Sequence, residues 1–233
     1  MHFLIKRWMQ WTVFDLEFTH LLPNIGEEWP SDLHITCGSI FSTGDTMPSI
    51  WYEDANYMSV ESVGKFVDAL FMLHLSGHKI VTWGGSSSDW RMLSRECKEK
   101  DFVVRELALN SIDIPMCSCM SIGVMMSLRA ASTAVGLELK NPEDSKSMPE
   151  IWSSNRQKVL EHVSHDSYAT FIVLAYILGT GTLPWVTNRG QRREWNPVHL
   201  MSVRECLTKD IPSTPYKIEP RQNAKLLARW LLF

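Results

Sequence analysis

The succession of short apolar segments constrains the fold of this 233-residue chain more than any other feature. Three segments rich in β-branched and aromatic residues follow one another, at 11–18 (WTVFDLEF), 33–41 (LHITCGSIF) and 49–53 (SIWYE). This composition is typical of strands, and the turn formers Gly44 and Asp45 separate the second segment from the third. The pattern therefore predicts three consecutive strands that form a meander.

Helical and strand-like patterns alternate in the next part of the chain. Residues 60–75 (VESVGKFVDALFMLHL) have apolar positions at helical spacing, and 79–83 (KIVTW) is a short apolar strand. After Gly84 and Gly85, either Ser88 or Asp89 can cap a helix that runs toward Lys100.

The remaining segments complete a predicted α/β fold. They are a fifth strand at 108–114 (ALNSIDI), an apolar helix at 116–137, a polar loop at 141–148, and a long helix at 156–178 that ends at Gly179. The resulting order, βββαβαβαα, predicts a mixed central sheet flanked by helices.

Composition indicates an ordinary globular protein, 45% hydrophobic and 21% charged. The longest apolar run, 171–178 (FIVLAYIL), is far shorter than the ~20 residues that cross a bilayer. The N-terminal residues MHFLIKRWMQWT lack the apolar stretch and cleavage site of a signal peptide. We therefore expect a soluble cytoplasmic protein without a membrane partner.

Cysteine usage and charge distribution bear on the domain organisation. The five cysteines include no C-x2-C pair, so neither a disulfide framework nor a zinc site is indicated. Residues 180–233 contain nine Lys and Arg against four Asp and Glu, although the whole chain has a formal charge of −3. With the turn-rich stretch 179–184 (GTGTLP), this predicts a domain over 1–180 and a basic, Trp-containing C-terminal extension over 181–233.

Four carboxylates occupy positions from which they could share one site. Asp15 and Glu17 are two residues apart in a predicted strand, so both side chains leave the same face of the sheet. Asp89 begins a helix directly after a strand, where ligand sites of α/β sheets gather. Asp166 lies on the long helix with His162 one turn earlier on the same face.

Each of these positions also has a simpler structural interpretation. The two strand carboxylates could mark one solvated face of a sheet, and Asp89 could be an ordinary N-cap residue. Asp166 and His162 could be a surface pair on an amphipathic helix. The apolar segment after them instead favours a helix that packs on the sheet.

Three motifs resemble those of a known superfamily when they are taken in order. VFDLEF, IVTWGGSSSDWRML and HVSHDSYAT are similar to motifs I, II and III of the DEDD 3′→5′ exonucleases, whose domain has an RNase H-like fold. The resemblance spans about residues 11–178. It extends to 110–115 (NSIDIP), which is similar to the strand after motif II, and to 139–140 ahead of Trp152, which is similar to the lead-in to motif III.

The resemblance implies a phosphodiester hydrolase that uses two divalent metal ions, Mg²⁺ or Mn²⁺. The metal ligands would be Asp15, Glu17, Asp89 and Asp166. The substrate would be the 3′ end of single-stranded DNA or RNA, and the products would be nucleoside 5′-monophosphates. Carboxylates suit this role because hard cations prefer oxygen ligands.

Motif III departs from both common patterns of the superfamily. One subfamily places a histidine five residues before the last aspartate, where this chain has Glu161. The other places a tyrosine four residues before it, where this chain has His162. We predict that His162 is the catalytic residue that activates water, because histidine titrates near neutral pH. His165 would point about 100° away around the helix and is a weaker candidate.

Aromatic and basic residues outside the motifs suggest nucleic-acid contacts. Trp83 and Trp90 flank the motif II loop and could stack on bases or pack in the core. The stretch 184–197 (PWVTNRGQRREWNP) could contact phosphates, or it could pack its tryptophans on the domain. Two other functions share these residues, namely an RNase H-like endonuclease and a noncatalytic nucleic-acid-binding module. Protein partners are not indicated by any pattern.

Overall fold

The computed structural model describes residues 9–24, 27–137, 147–187, 189–197, 199–210 and 218–232. Five strands form a mixed sheet in the order β3-β2-β1-β4-β5. Pairs β1/β2 and β2/β3 are antiparallel, whereas β1/β4 and β4/β5 are parallel. The strands are β1 Gln10–Phe18, β2 Ile35–Ser42, β3 Ser49–Tyr52, β4 His78–Thr82 and β5 Ile112–Asp113.

Helices cover the sheet, and a small hairpin follows the longest of them. The hairpin consists of β6 Leu183–Val186 and β7 Arg192–Trp195. The helices are α1 Val60–Leu75, α2 Asp89–Glu96, α3 Asp101–Asn110, α4 Ile114–Ile122, α5 Leu128–Ala134, α6 Met148–Ser154, α7 Arg156–Thr180, α8 Val203–Thr208 and α9 Ile218–Leu227. Short 3₁₀ turns occupy Lys98–Lys100 and Arg229–Leu232. No helix of the described residues is long and apolar enough to span a membrane.

The two faces of β1 pack differently, and this difference positions the site. On one face Phe14 contacts Phe66 of α1 and Trp90 of α2, with ring centroids 5.9 and 4.7 Å apart. On the other face α7 crosses β1 and β2. There the Ser39 hydroxyl donates to the Val163 carbonyl at 2.8 Å and to Ser167 Oγ at 2.7 Å. A small polar residue on β2 therefore lets α7 lie close to the sheet.

The predicted mixed α/β architecture is confirmed, and so are the first four strands and the long helix, with small differences at their ends. The fifth strand predicted over 108–114 is present, but it is much shorter than predicted. Helix α3 continues to Asn110, and only Ile112–Asp113 is extended. Ala108 and Leu109, which suggested a strand, are buried with Val104 and Leu107 as part of the face that this helix packs on the core.

Two predicted helices are shorter than the sequence suggests. The helix expected over 116–137 is two helices, because α4 ends at Gly123 in the left-handed conformation with φ 72°. The helix expected to run toward Lys100 ends at Glu96 and is followed by a 3₁₀ turn. The predicted polar loop lies outside the described residues at 141–146, as do the lead-in residues 139–140.

The residues after 180 contribute to the same hydrophobic core as the sheet. Leu183, Trp195, Val203 and Cys206 are buried in it. The Val203 amide also donates to the Ser111 carbonyl at 2.9 Å, at the end of α3. The division into a domain and an extension at residue 180 stays a prediction.

Candidate active site

Strand β1 carries two of the predicted site carboxylates. Its side chains alternate, so buried Phe14 and Leu16 face the core beside α1 while Asp15 and Glu17 face α7. The pairing with β2 shifts by one residue between Glu17 and Phe18. The unpaired extra residue is Thr36 of β2, so Asp15 and Glu17 of β1 keep regular alternation up to this point. Both carboxylates therefore point to one place, where β1 leaves the sheet.

The loop between β4 and α2 delivers Asp89. Gly84 has φ +84°, which favours glycine, and a Cβ on Gly85 would lie 2.7 Å from the Thr82 side chain. These two glycines turn the chain sharply from the end of β4 into α2. The N-cap residue of α2 is Ser88, so the interpretation of Asp89 as a simple cap is not supported. Asp89 is instead the first helical residue, 4% exposed, and accepts a hydrogen bond from Ser88 Oγ at 2.9 Å.

Helix α7 delivers Asp166 and His162. His162 Nε2 lies 3.5 Å from Glu17 Oε1 and 3.7 Å from Asp166 Oδ2. This nitrogen is buried and has no hydrogen-bond partner among the described residues. His165 Nδ1 is 3.9 Å from the other oxygen of Asp166. The surface-pair interpretation of this helix face is therefore wrong for His162, because its imidazole faces the strand carboxylates.

All five predicted site residues line one cavity of about 320 Å³. Its wall also includes Trp83 and the residues that follow β1, among them His20 and Leu21. The five residues come from three elements that are far apart in sequence, namely β1, the start of α2 and the middle of α7. Their convergence follows from the sheet order, which places β1 beside β4 and under α7.

The carboxylates in this cavity destabilise one another's charged forms. Burial raises the pKa of Asp15 well above its usual value, and Asp89, Asp166 and Glu17 raise it further. Burial likewise raises the pKa of Glu17, with added contributions from Asp166 and Asp89. Burial raises the pKa of Asp89 to about 7, against the opposing effect of its bond from Ser88. The described residues within the cavity include no Lys or Arg to offset these charges.

The donor chemistry of the cavity fits a hard divalent cation. Carboxylate oxygens are preferred ligands of Mg²⁺ and Mn²⁺, and His162, whose Nε2 has no hydrogen-bond partner among the described residues, lines the same space. Among the residues with described positions, however, no three His, Cys, Asp or Glu side chains are already arranged to hold an ion. Side chains would therefore have to rotate inward for an ion to bind.

Asp113, at the end of β5, contacts the loop that carries Asp89, although its sequence position indicates no role in the site. Its carboxylate accepts hydrogen bonds from the Ser86 amide at 2.9 Å, from Ser86 Oγ at 2.6 Å and from the Gly84 amide at 3.3 Å. It also caps α4 by accepting from the Met116 amide at 3.1 Å. An aspartate two residues before Pro115 is a recognisable capping signal, but its contact with the Asp89 loop has no signal in the sequence.

The residues predicted to contact nucleic acid, namely two tryptophans of the motif II loop and the stretch 184–197, differ in their exposure. Trp90 is fully buried and packs edge-on against Phe14, so it cannot stack on a base. Trp83 is partly buried in the cavity wall, and its indole donates to the Met126 carbonyl at 3.1 Å. Trp185 and Trp195 are buried in the hairpin, as the packing interpretation predicted. Arg189, Arg192 and Arg193 are exposed there, and whether they contact nucleic acid stays untested.

Fold and site together define a mixed α/β protein with a carboxylate-lined cavity at the C-terminal end of the central strand of its sheet. The structure is similar to a family B DNA polymerase from the hyperthermophilic archaeon Pyrobaculum calidifontis, with a TM-score of 0.52 and 15% identity. The match covers 73% of this chain and 24% of the polymerase chain. Neither a protein-family model nor a curated protein matches the sequence. At this identity the similarity concerns the fold alone.

Proposed function

We propose that this protein is a metal-dependent 3′→5′ exonuclease of the DEDD type with an RNase H-like domain. The observation that carries the proposal is the cavity itself. It joins four carboxylates from three separate elements with a histidine whose Nε2 has no hydrogen-bond partner among the described residues. The fold similarity to part of a DNA polymerase supports the proposal that the substrate is a nucleic acid. The 3′→5′ polarity rests on the motif resemblance.

Four mutually repelling carboxylates are costly unless the site binds cations. Asp15, Glu17 and Asp89 have raised pKa values because they are buried near one another. We assign these three residues and Asp166 as ligands of two Mg²⁺ or Mn²⁺ ions. When bound, such ions would lower the pKa of a water and stabilise the oxygens of an in-line displacement at phosphorus.

The position of His162 suits a general base. Its Nε2 lies 3.5 Å from Glu17 and 3.7 Å from Asp166, and no hydrogen bond from the described residues holds its lone pair or proton. A water in the cavity could give its proton to this nitrogen, and the nearby Glu17 and Asp166 would stabilise the resulting imidazolium. Histidine here would take the place of the tyrosine that one subfamily of the superfamily has at this spacing.

The four carboxylates argue against a binding module without activity. Such a module would hold a polyanion, and four unneutralised carboxylates facing the phosphate backbone would repel it. The same residues with bound cations would attract phosphate, because the ions invert the local field.

The decisive experiment uses single-stranded DNA and RNA oligonucleotides labelled at the 5′ end, with Mg²⁺, Mn²⁺ or EDTA. The wild type should give a ladder that shortens from the 3′ end with either metal, and Asp15→Asn should abolish it. Glu61→Gln is the matched control, since Glu61 is an exposed carboxylate on α1 that pairs with Lys65. Internal cuts would indicate an endonuclease, and intact oligonucleotides under every condition would contradict the proposed activity.

A further inference from the structure

The helix that begins with Asp89 is not held in place by its own residues. Helix α2 has eight residues, and its N-cap Ser88 makes no side-chain capping bond. The Ser88 hydroxyl is directed instead to Asp89 Oδ1 and to the Gly84 carbonyl. Helices of this length are marginal in isolation, so tertiary contacts must fix where α2 begins.

Ser86, three residues before Asp89, is the point at which the loop is attached to the rest of the molecule. It is 4% exposed, and both its amide and its hydroxyl donate to Asp113 of β5. Its carbonyl oxygen accepts a hydrogen bond from Trp230 Nε1 at 2.9 Å. The Ser86 backbone is therefore fixed on one side by the sheet and on the other by the C-terminal 3₁₀ turn.

A second chain of contacts connects the same tryptophan to the body of α2. Arg105 of α3 donates to the Trp230 carbonyl, and its guanidinium lies 5.3 Å from the centre of the indole ring. Arg105 Nε also pairs with Asp101 at 2.8 Å, and the other oxygen of Asp101 accepts from Ser94 of α2. Trp230 thus contacts the loop before Asp89 directly and the middle of α2 through two residues of α3.

We propose that Trp230 and Arg105 are positioning residues that fix Asp89 in the carboxylate cavity. The C-terminal turn then completes the site although it lies outside the three motifs. This inference rests on the proposed function, because it assigns Asp89 a role in the reaction. Neither residue lines the cavity, so their effect on the reaction is transmitted through Ser86 and α2.

The test compares Trp230→Phe, which removes the indole N–H and keeps an aromatic ring, with Trp185→Phe. Trp185 is a matched control because it is another tryptophan of the C-terminal part that packs on the hydrophobic core, but its strand packs on α5. Removal of a partner behind a metal ligand costs roughly 10- to 100-fold in activity or metal affinity. Trp230→Phe should therefore lower kcat by about tenfold and raise the half-saturating Mn²⁺ concentration, with KM for the oligonucleotide unchanged.

The outcomes separate this inference from the proposed function. If Trp230→Phe keeps the kcat and the Mn²⁺ dependence of Trp185→Phe, the inference is wrong. If Trp230→Phe does not fold, Arg105→Lys decides, because lysine keeps the charge but not the planar fork that joins Asp101 to the Trp230 carbonyl. Kinetics equal to those of Trp185→Phe would then overturn the inference. An inactive wild type would contradict the proposed function alone. Amide hydrogen exchange over 84–94 would then decide, with faster exchange in Trp230→Phe than in Trp185→Phe supporting the inference and equal exchange overturning it.

Discussion

Replacing Asp89 with asparagine should stabilise the metal-free protein, and the gain should increase with pH. The carboxyl of Asp89 is 4% exposed, and its pKa is raised from 3.8 to about 7, mainly by burial. A carboxyl whose pKa is higher in the folded state binds protons more tightly there than in the unfolded chain. The tighter proton binding by folded Asp89 therefore stabilises the protein fully below about pH 4. This stabilisation is lost as the pH rises to about 7.

The magnitude follows from the pKa difference. Each pH unit between the two pKa values is worth ~1.4 kcal/mol, so the complete loss is on the order of 4 kcal/mol. Of this, about two pH units, or about 3 kcal/mol, fall between pH 5 and the folded-state pKa of about 7. Asparagine keeps an oxygen that can accept from Ser88 and has no charge to desolvate. It also relieves Asp15 and Glu17, whose pKa values Asp89 helps to raise.

Urea unfolding in EDTA at about pH 5 and about pH 8 measures this effect. The advantage of Asp89→Asn over the wild type should grow by about 3 kcal/mol between the two pH values. The control Glu61→Gln should show no such trend, because Glu61 is largely exposed. A constant difference between wild type and Asp89→Asn at both pH values would refute the account of a buried, charge-destabilised carboxyl.

Three further predictions concern catalysis, backbone geometry and metal binding. His162→Ala should lower kcat by roughly 10²- to 10⁴-fold in the oligonucleotide assay, whereas exposed His199→Ala should leave it unchanged. Gly85→Ala should cost about 1–3 kcal/mol in urea unfolding, because its Cβ would lie 2.7 Å from Thr82. Gly179→Ala, with open space around it in α7, should instead stabilise by up to ~1 kcal/mol. Mn²⁺ should raise the melting temperature more at about pH 8 than at about pH 5, since protons compete for the carboxylates, and an equal rise would contradict a carboxylate site.

Strongly patterned segments could be predicted from the sequence because local residues determine them. The helix over Val60–Leu75 has the predicted bounds, and its residues Val63, Phe66, Val67 and Leu70 form one buried face. The same-face placement of Asp15 and Glu17 follows from strand alternation alone, and that of His162 and Asp166 from helical spacing. That these two pairs lie near Asp89 could be predicted only from the order of the strands in the sheet. The motif resemblance provided that order.

Features that depend on distant segments could not be predicted. The strand β5 is only two residues long. It is defined by its pairing with β4 and not by a local sequence pattern. The apolar residues around it are equally compatible with helix and strand. The contacts of Asp113 with the Gly84–Ser86 loop and of Trp230 with Ser86 join residues 27 and 144 positions apart. Nothing near any of these residues in the sequence indicates its partner.

The unfavourable free energy of the buried carboxylates explains why several hydrogen bonds hold the loop that carries Asp89. Burial and mutual repulsion raise the pKa values of three carboxylates, so at neutral pH the metal-free cavity destabilises the folded state. The loop that carries Asp89 would move away from this repulsion if it were free to do so. The bonds of Ser86 to Asp113 and Trp230 prevent that movement. They keep Asp89 beside the other carboxylates, where the cations of the proposed function would neutralise their charges.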